Sequence, residues 1–255
     1  MDVSAAVVHT EPDVNIPQRM QEIVDQAVGS HPAVFISGGI DSSIVLWHIC
    51  RAAEPKVFTL DFGIEPQESA RAQMAASTLG VPLTVIRLER FEELLADAQL
   101  YFDIPRFNAW PLALFRAAAA QGCTQAWIGE GSNEIFGYAD RDFLTGWAGQ
   151  IAWVRPVYDQ LALALGIELR APFTEFAAGL THPLAVYLPP CKKILRDAYS
   201  GLLPPVLLDV PSIAPRMVNY PAFCRVHLGI EVSSAMQAKR HLTAMAARAW
   251  LDQHG

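Results

Sequence analysis

The sequence predicts an α/β protein, a doubly wound parallel sheet with a mostly helical C-terminal part, and two observations carry that expectation. Short apolar runs such as VFTLDF at 57–62 and LTVIRL at 83–88 alternate with helix-like stretches through the first half. Beyond Tyr138 no run of similar strand quality appears and prolines recur.

Residues 1–15 read as a loose lead-in, after which Pro17 opens a helix over about Gln18 to Val28, with Met20, Ile23, Val24 and Ala27 on one side. Ala33, Val34, Phe35 and Ile36 form a strand of the kind buried on both faces. Ser42 to His48 begins a helix that ends near Arg51, its apolar face being Ile44, Val45 and Ile49. After strand 57–62, SARAQMAASTLG runs as a helix to Gly80, a good C-terminal cap, and 83–88 is the third strand. FEELLADAQLYF (91–102) and PLALFRAAAAQG (111–122) are helical, the second framed by Pro111 and Gly122, and QAWIG at 125–129 is the fourth strand. This alternation implies a parallel sheet covered on both faces, with ligands at the carboxyl ends of its strands. The last clear element is an alanine-rich helix over roughly Ser234 to Asp252. The chain therefore divides into the lead-in 1–15, an α/β part 16–140 and a helical part 141–255, one continuous domain without repeats or low-complexity linkers.

With 255 residues and 52% hydrophobic content the chain can bury an ample core. A net charge of −7 argues against a nucleic-acid partner, which would need broad basic surface. Cys50, Cys123, Cys191 and Cys224 lie far apart without metal or redox spacing and read as apolar residues of a reduced protein. The N-terminus lacks a basic n-region and no apolar run approaches a membrane span, so a cytoplasmic location with no membrane contact is expected.

The turn between the first strand and its helix, SGGIDSS at 37–43, concentrates the chemistry. Gly38 and Gly39 permit positive φ, so successive N–H groups can line one concavity, to which the helix start adds its positive dipole end. Ser37, Ser42 and Ser43 add hydroxyls. Asp41 is a carboxylate beside a site otherwise suited to anions, which makes sense if a hard cation sits between it and a phosphate. The plainer alternative is an ordinary strand-to-helix turn of small residues, against which stands the joint order of two glycines, three serines and one aspartate. A Walker-type P-loop is excluded, because no Gly-Lys-Ser/Thr follows.

Three further segments carry candidate groups. GEGSNEIFGY at 129–138 follows the fourth strand, so strand polarity puts Gly129 and Glu130 at the same edge as SGGIDSS. Glu130 reads as a general base, a metal ligand or a helix-capping acid. ELRAPF at 168–173 carries Arg170, and KKILRDAYSGLLP at 192–204 reads as a helix starting at Lys192 and Lys193 with Arg196 one turn on. Such cations can clamp a phosphate or a carboxylate, or be solvated surface charges.

SGGIDSS resembles the PP-loop of the ATP pyrophosphatases, and the four segments in order resemble the synthetase domain of asparagine synthetases and their β-lactam-forming relatives, over about residues 15–205. The resemblance implies an ATP pyrophosphatase fold and a two-step reaction. A substrate carboxylate is adenylated by ATP with release of pyrophosphate, and ammonia or an amine then takes the acyl group. It also implies that Ser37, Gly38, Gly39, Asp41, Ser42 and Ser43 hold pyrophosphate, that Asp41 and Asn133 bind Mg²⁺, that Leu60 and Gly129 line the nucleotide, and that Glu130 and Lys192 are catalytic. Glu130 stands where the β-lactam-forming relatives have tyrosine, which points toward the asparagine-synthetase side. The chain departs from the family at Asn133, where an aspartate is usual, at Thr174 and Glu175, and after Leu203-Pro204, where LLDVPSIAP replaces a basic stretch.

A synthetase domain without the family's glutaminase domain is expected, so the expected partners are a small-molecule carboxylate, an amine or free ammonia, and either a separate glutaminase subunit or a pathway partner, with a homo-oligomer as a further expectation. Two alternatives remain open: another PP-loop chemistry such as tRNA-base modification or sulfur transfer, and a nucleotide-binding partner protein without catalysis.

Overall fold

The structure, a computed structural model, describes residues 14–64, 68–136, 154–178, 192–209 and 219–255. Its centre is one parallel sheet in the order β3-β2-β1-β4-β5. The strands are β1 (Pro32–Phe35), β2 (Lys56–Asp61), β3 (Leu83–Arg87), β4 (Gln125–Trp127) and β5 (Glu168–Arg170). From β1 the chain builds outward through β2 and β3, then returns to the other side of β1 for β4 and β5. The order reverses between β1 and β4, and such a reversal opens a ligand crevice at the strands' carboxyl ends. Val34 pairs with both Val57 and Trp127, which places the turns after β1 and β4 side by side.

Alternation along the strands sorts side chains into two cores. Val34, Ile36, Val57 and Trp127 face one layer, made by α1 (Ile16–Ala27), α2 (Ile40–Ala52), α3 (Glu68–Thr78), α6 (Ser132–Phe136), α8 (Pro172–Ala178), α9 (Lys193–Tyr199) and α10 (Pro205–Leu208). Ala33, Phe35, Phe58, Leu60, Ala126 and Ile128 face the other, made by α4 (Phe91–Gln99), α5 (Pro111–Ala120), α7 (Arg155–Ala164), α11 (Tyr220–Leu228) and α12 (Ala235–His254). The C-terminal helix packs on the first half of the chain: α12 lies against α4, and Trp250 Nε1 donates to the Phe102 carbonyl at 2.8 Å.

Helix starts follow local chemistry. The Asn15 side chain accepts from the Gln18 amide at 3.1 Å and Ser234 from the Gln237 amide at 3.2 Å, each satisfying an amide that the helix leaves bare. The helix expected over 91–102 stops at Gln99, because the buried Gln99 amide fastens the next loop by bonding Arg106 through both its N–H and its carbonyl, at 3.0 and 2.9 Å.

Three expectations need correction. A fifth strand exists beyond Tyr138, at Glu168–Arg170; its three residues include two charged ones, so hydrophobic pattern gives no hint of it, and pairing with β4 makes it a strand. Cover is also incomplete at the β3 edge, where Thr84 and Val85 are exposed. The helix expected over 192–204 is likewise shorter: α9 spans Lys193–Tyr199 with Lys192 before it in a left-handed conformation, and Ser200 and Leu203 form a bridge ahead of the separate helix α10. Cys50, Cys123 and Cys224 are free thiols, and Cys191 lies outside the described residues, as do residues 1–13 of the lead-in, 137–138 of GEGSNEIFGY and 210–215 of LLDVPSIAP. Among the described residues no helix is long and apolar enough to cross a membrane.

Candidate functional site

The turn after β1 needs glycine at position 38 for two reasons. Gly38 has φ +71, and a Cβ there would stand 2.4 Å from the Arg71 carbonyl carbon and 2.5 Å from the Ala72 nitrogen, so the backbone of α3 is pressed against the turn. Gly39 caps α2 with ordinary extended geometry, φ −77 and ψ 161.

Ser42 holds the turn in shape. Its hydroxyl donates to the Gly39 carbonyl at 3.1 Å and accepts from the Ser37 amide at 3.2 Å. The Ser37 hydroxyl is more loosely engaged, 3.4 Å from both Ser42 Oγ and the Gly39 nitrogen. Ser43 is fully buried and its hydroxyl has no hydrogen-bond partner among the described residues.

The turn after β4 closes on the same place. A Cβ on Gly129 would come within 2.9 Å of the Ser42 nitrogen and 3.1 Å of Asp41, so only glycine lets these two turns touch. Gly131, at φ +93, lies against Thr174 in the same way, its notional Cβ 2.6 Å from Thr174 Oγ1. Glu130, half-buried, stands between them. Ser132 opens α6 and donates to Asp41 Oδ1 at 2.6 Å.

Lys192 completes the cluster by meeting Asp41 Oδ2. It is 4% exposed and sits just before α9 at φ 61, one of two non-glycine residues in that region among those described. A left-handed conformation costs a lysine roughly 1–2 kcal/mol, and such strain concentrates at functional sites. Asn133, half-buried beside Ser132, makes no hydrogen bond to Asp41 among the described residues.

The other expected cations lie elsewhere. Arg170 bonds Glu168 at 3.1 Å and Glu175 at 2.7 Å while lying 5.6 Å over the Trp127 ring, a structural clasp at the sheet edge. Lys193 pairs with Asp197 on the exposed side of α9, and Arg196 Nε donates to the Leu208 carbonyl at 2.9 Å. Leu60 is buried in β2, beyond the last residue paired with β1, so its backbone stands at the open crevice edge while its side chain joins the core.

Ser132 and Thr174 escaped sequence reasoning as site residues. A serine opening a short helix and a threonine after Pro-Phe carry no signal of their own, and only the fold brings them to Asp41 and Gly131.

The model for asparagine synthase matches residues 18–156, more than half of the 255. The chain belongs to the asparagine synthase family. The match includes the whole of SGGIDSS and of GEGSNEIFGY, while Arg170 and Lys192 lie beyond it. Membership makes this a PP-loop chain of an ATP-dependent ligase family, in agreement with the parallel sheet. A stretch of 134 residues is 34% identical to amidase chry2 of Gibberella zeae, covering 42% of this chain and 19% of that protein. The match thus spans about a fifth of that relative's length. A solved structure described as a predicted subunit of tRNA methyltransferase from Methanocaldococcus jannaschii is similar over 57% of this chain and 70% of that one, at 21% identity and TM-score 0.36. At that level nothing about function transfers.

The asparagine synthase site suits a diphosphate. The amides of Ile40, Asp41 and Ser42 lie in the first turn of α2, where a helix offers no internal acceptors, and Gly38 lets the turn take its positive φ against α3. The residues that would hold a magnesium ion are Asp41 and Asn133; among the described residues no three His, Cys, Asp or Glu cluster. Magnesium commonly takes one or two carboxylates and fills its remaining positions with phosphate oxygens and water, so this set is adequate. The Lys192 ammonium already occupies Asp41 Oδ2, which marks the place as one where positive charge is stable.

Proposed function

We propose that this chain is an ATP-dependent carbon–nitrogen ligase that forms an amide by way of an acyl-adenylate. The observation that carries the reading is the meeting of Asp41, Ser132 and Lys192 beside the glycine turn at the sheet's switch point.

In the first step a carboxylate oxygen of the acid substrate attacks the α-phosphorus of ATP, the bond to the bridging oxygen breaks, and pyrophosphate leaves with its electrons. Gly38, Gly39 and the first-turn amides of α2 hold the departing diphosphate, aided by the Ser37 hydroxyl. Lys192 turns from Asp41 toward the phosphates and offsets charge developing there, a preorganised cation in a dry setting. Asp41 and the Asn133 amide oxygen would hold a magnesium ion, which would supply further neutralisation of phosphate charge. In the second step ammonia or an amine attacks the activated carbonyl, AMP leaves, and Glu130 accepts the proton lost by nitrogen. Leu60 and Gly129 offer backbone to the adenosine end.

The name of the fungal relative, amidase, belongs to the same class of bond. The acid, the amine and any glutaminase or pathway partner are part of the proposal. The test is ATP–pyrophosphate exchange with magnesium and a panel of acids headed by aspartate and glutamate, together with calorimetric MgATP binding. Acid-dependent exchange supports the ligase. ATP binding with no exchange favours a nucleotide-binding partner protein, and no ATP binding defeats both.

A further inference from the structure

Lys192 is held near Asp41 from one side by the short helix it precedes. α9 has seven residues, of which Leu195 and Tyr199 are buried. At its far end the Tyr199 hydroxyl lies 2.8 Å from His48 Nε2, with both side chains fully buried. Two contacts between α2 and the α9 segment, Asp41 with Lys192 and His48 with Tyr199, have the same sequence separation of 151 residues. The two segments therefore run in the same direction, with side chains meeting at matched positions about two turns apart.

The direction of each bond in this tie follows from its partners. Gln21 Nε2 donates to Asp25 Oδ1 at 2.7 Å, so Gln21 Oε1 is an acceptor and takes the His48 Nδ1–H at 2.8 Å. Nε2 is then bare and accepts from Tyr199. Trp47 closes the same pocket edge-on to the Tyr199 ring, 6.0 Å between centroids. A hydroxyl and an imidazole enclosed this completely have no water to fall back on, so the bond fixes α9 along its own axis rather than only packing it.

We propose that the His48 and Tyr199 bond is a positioning contact for the proposed ligase reaction: it sets the reach of Lys192, and through Lys192 the rate of adenylation. This rests on the ligase reading above. Neither residue touches ATP or acid; each acts through the lysine two turns away. A displacement of about 1 Å at a reacting group can lower a rate by about a hundredfold, so a modest slip of α9 has a measurable consequence.

The test is a double-mutant cycle crossing Tyr199→Phe with Lys192→Ala, read as exchange kinetics with MgATP and the same acid panel, with melting temperature and calorimetric MgATP affinity for each protein. Tyr199→Phe is expected to lower exchange kcat about tenfold while KM for ATP stays within about twofold. Once Lys192 is alanine, Tyr199→Phe should lower the rate no further, the signature of one group acting through another. His48→Leu should reproduce the effect, and serves if Tyr199→Phe does not fold; His48→Gln, which retains an acceptor, should recover part of the rate. Effects that multiply independently, or a lowered melting temperature with exchange unchanged well below it, overturn the positioning role and leave the ligase standing. If wild-type protein binds MgATP but no acid supports exchange, the ligase reading falls and this inference falls with it. Wild-type protein that neither binds nor exchanges ATP overturns the ligase reading and this inference together.

Discussion

Asp41 and Lys192 meet across 151 residues of sequence, a carboxylate on the first turn of α2 against an ammonium that is 4% exposed. The pair is asymmetric in what its loss should do. Removing Asp41 leaves a buried cation uncompensated, whereas removing Lys192 leaves a carboxylate that Ser132 still serves. Asp41→Ala is therefore expected to lose about 3 kcal/mol or more of unfolding free energy by urea denaturation, and Lys192→Met clearly less.

For the reaction the order reverses in emphasis. Lys192→Ala should slow acid-dependent exchange by roughly two to three orders of magnitude, the effect of losing a preorganised charge worth about 3–4 kcal/mol in the barrier. A change below about threefold would remove Lys192 from the chemistry.

The two neighbouring glycines should separate sharply. Gly38→Ala combines φ +71 with a collision at 2.4 Å against α3 backbone, and is expected to destabilise by about 2 kcal/mol or more and to abolish MgATP binding by calorimetry. Gly39→Ala meets only Ser37 Oγ at 3.4 Å in ordinary backbone geometry, so it should fold normally.

That contrast shows where sequence reasoning reached and where it stopped. Gly38, Gly39, Asp41, Glu130 and Lys192 were nominated from motif order, and the structure brings Gly38, Gly39, Asp41 and Lys192 to one crevice, with Glu130 on the turn beside them. Which glycine is indispensable was invisible, because the constraint comes from Arg71 and Ala72 on another helix. Arg170 reads from sequence as either an anion clamp or a solvated surface charge, for the same reason that β5 escapes: in ELR the local pattern is polar, and only pairing with β4 and stacking on Trp127 reveal an edge strand with a clasp. His48 lies outside the motifs, and Tyr199, though inside KKILRDAYSGLLP, carries no signal of its own. Their link exists only once α2 and α9 lie in register.

Arg170 supplies a control. Arg170→Ala should lower stability by about 1 kcal/mol, through the lost Trp127 stacking and part-exposed ion pairs, while leaving exchange within about twofold of wild type.

His48 gives stability a pH dependence of known sign. Burial first, and the nearby Arg51 charge second, lower its pKa from 6.5 to about 3. Between those values the unfolded chain takes up a proton that the folded one refuses, so stability is complete above about pH 6.5 and declines by about 1.4 kcal/mol per pH unit as pH falls toward 3. Urea unfolding of wild type and His48→Gln across pH 4.5–7.5 should show that slope shrinking in the variant.

The register of α2 and α9 also bears on biosynthesis. The cradle is complete once residue 132 has left the ribosome, but its cation is encoded some sixty codons further on, and the tyrosine that sets its reach is later still. A message cut short or a chain clipped between β5 and α9 would carry the residues of all five strands yet lack Lys192 and the side chains that α9 to α12 give to both cores. The lysine proposed to act on the nucleotide thus arrives only with the helices that finish the fold.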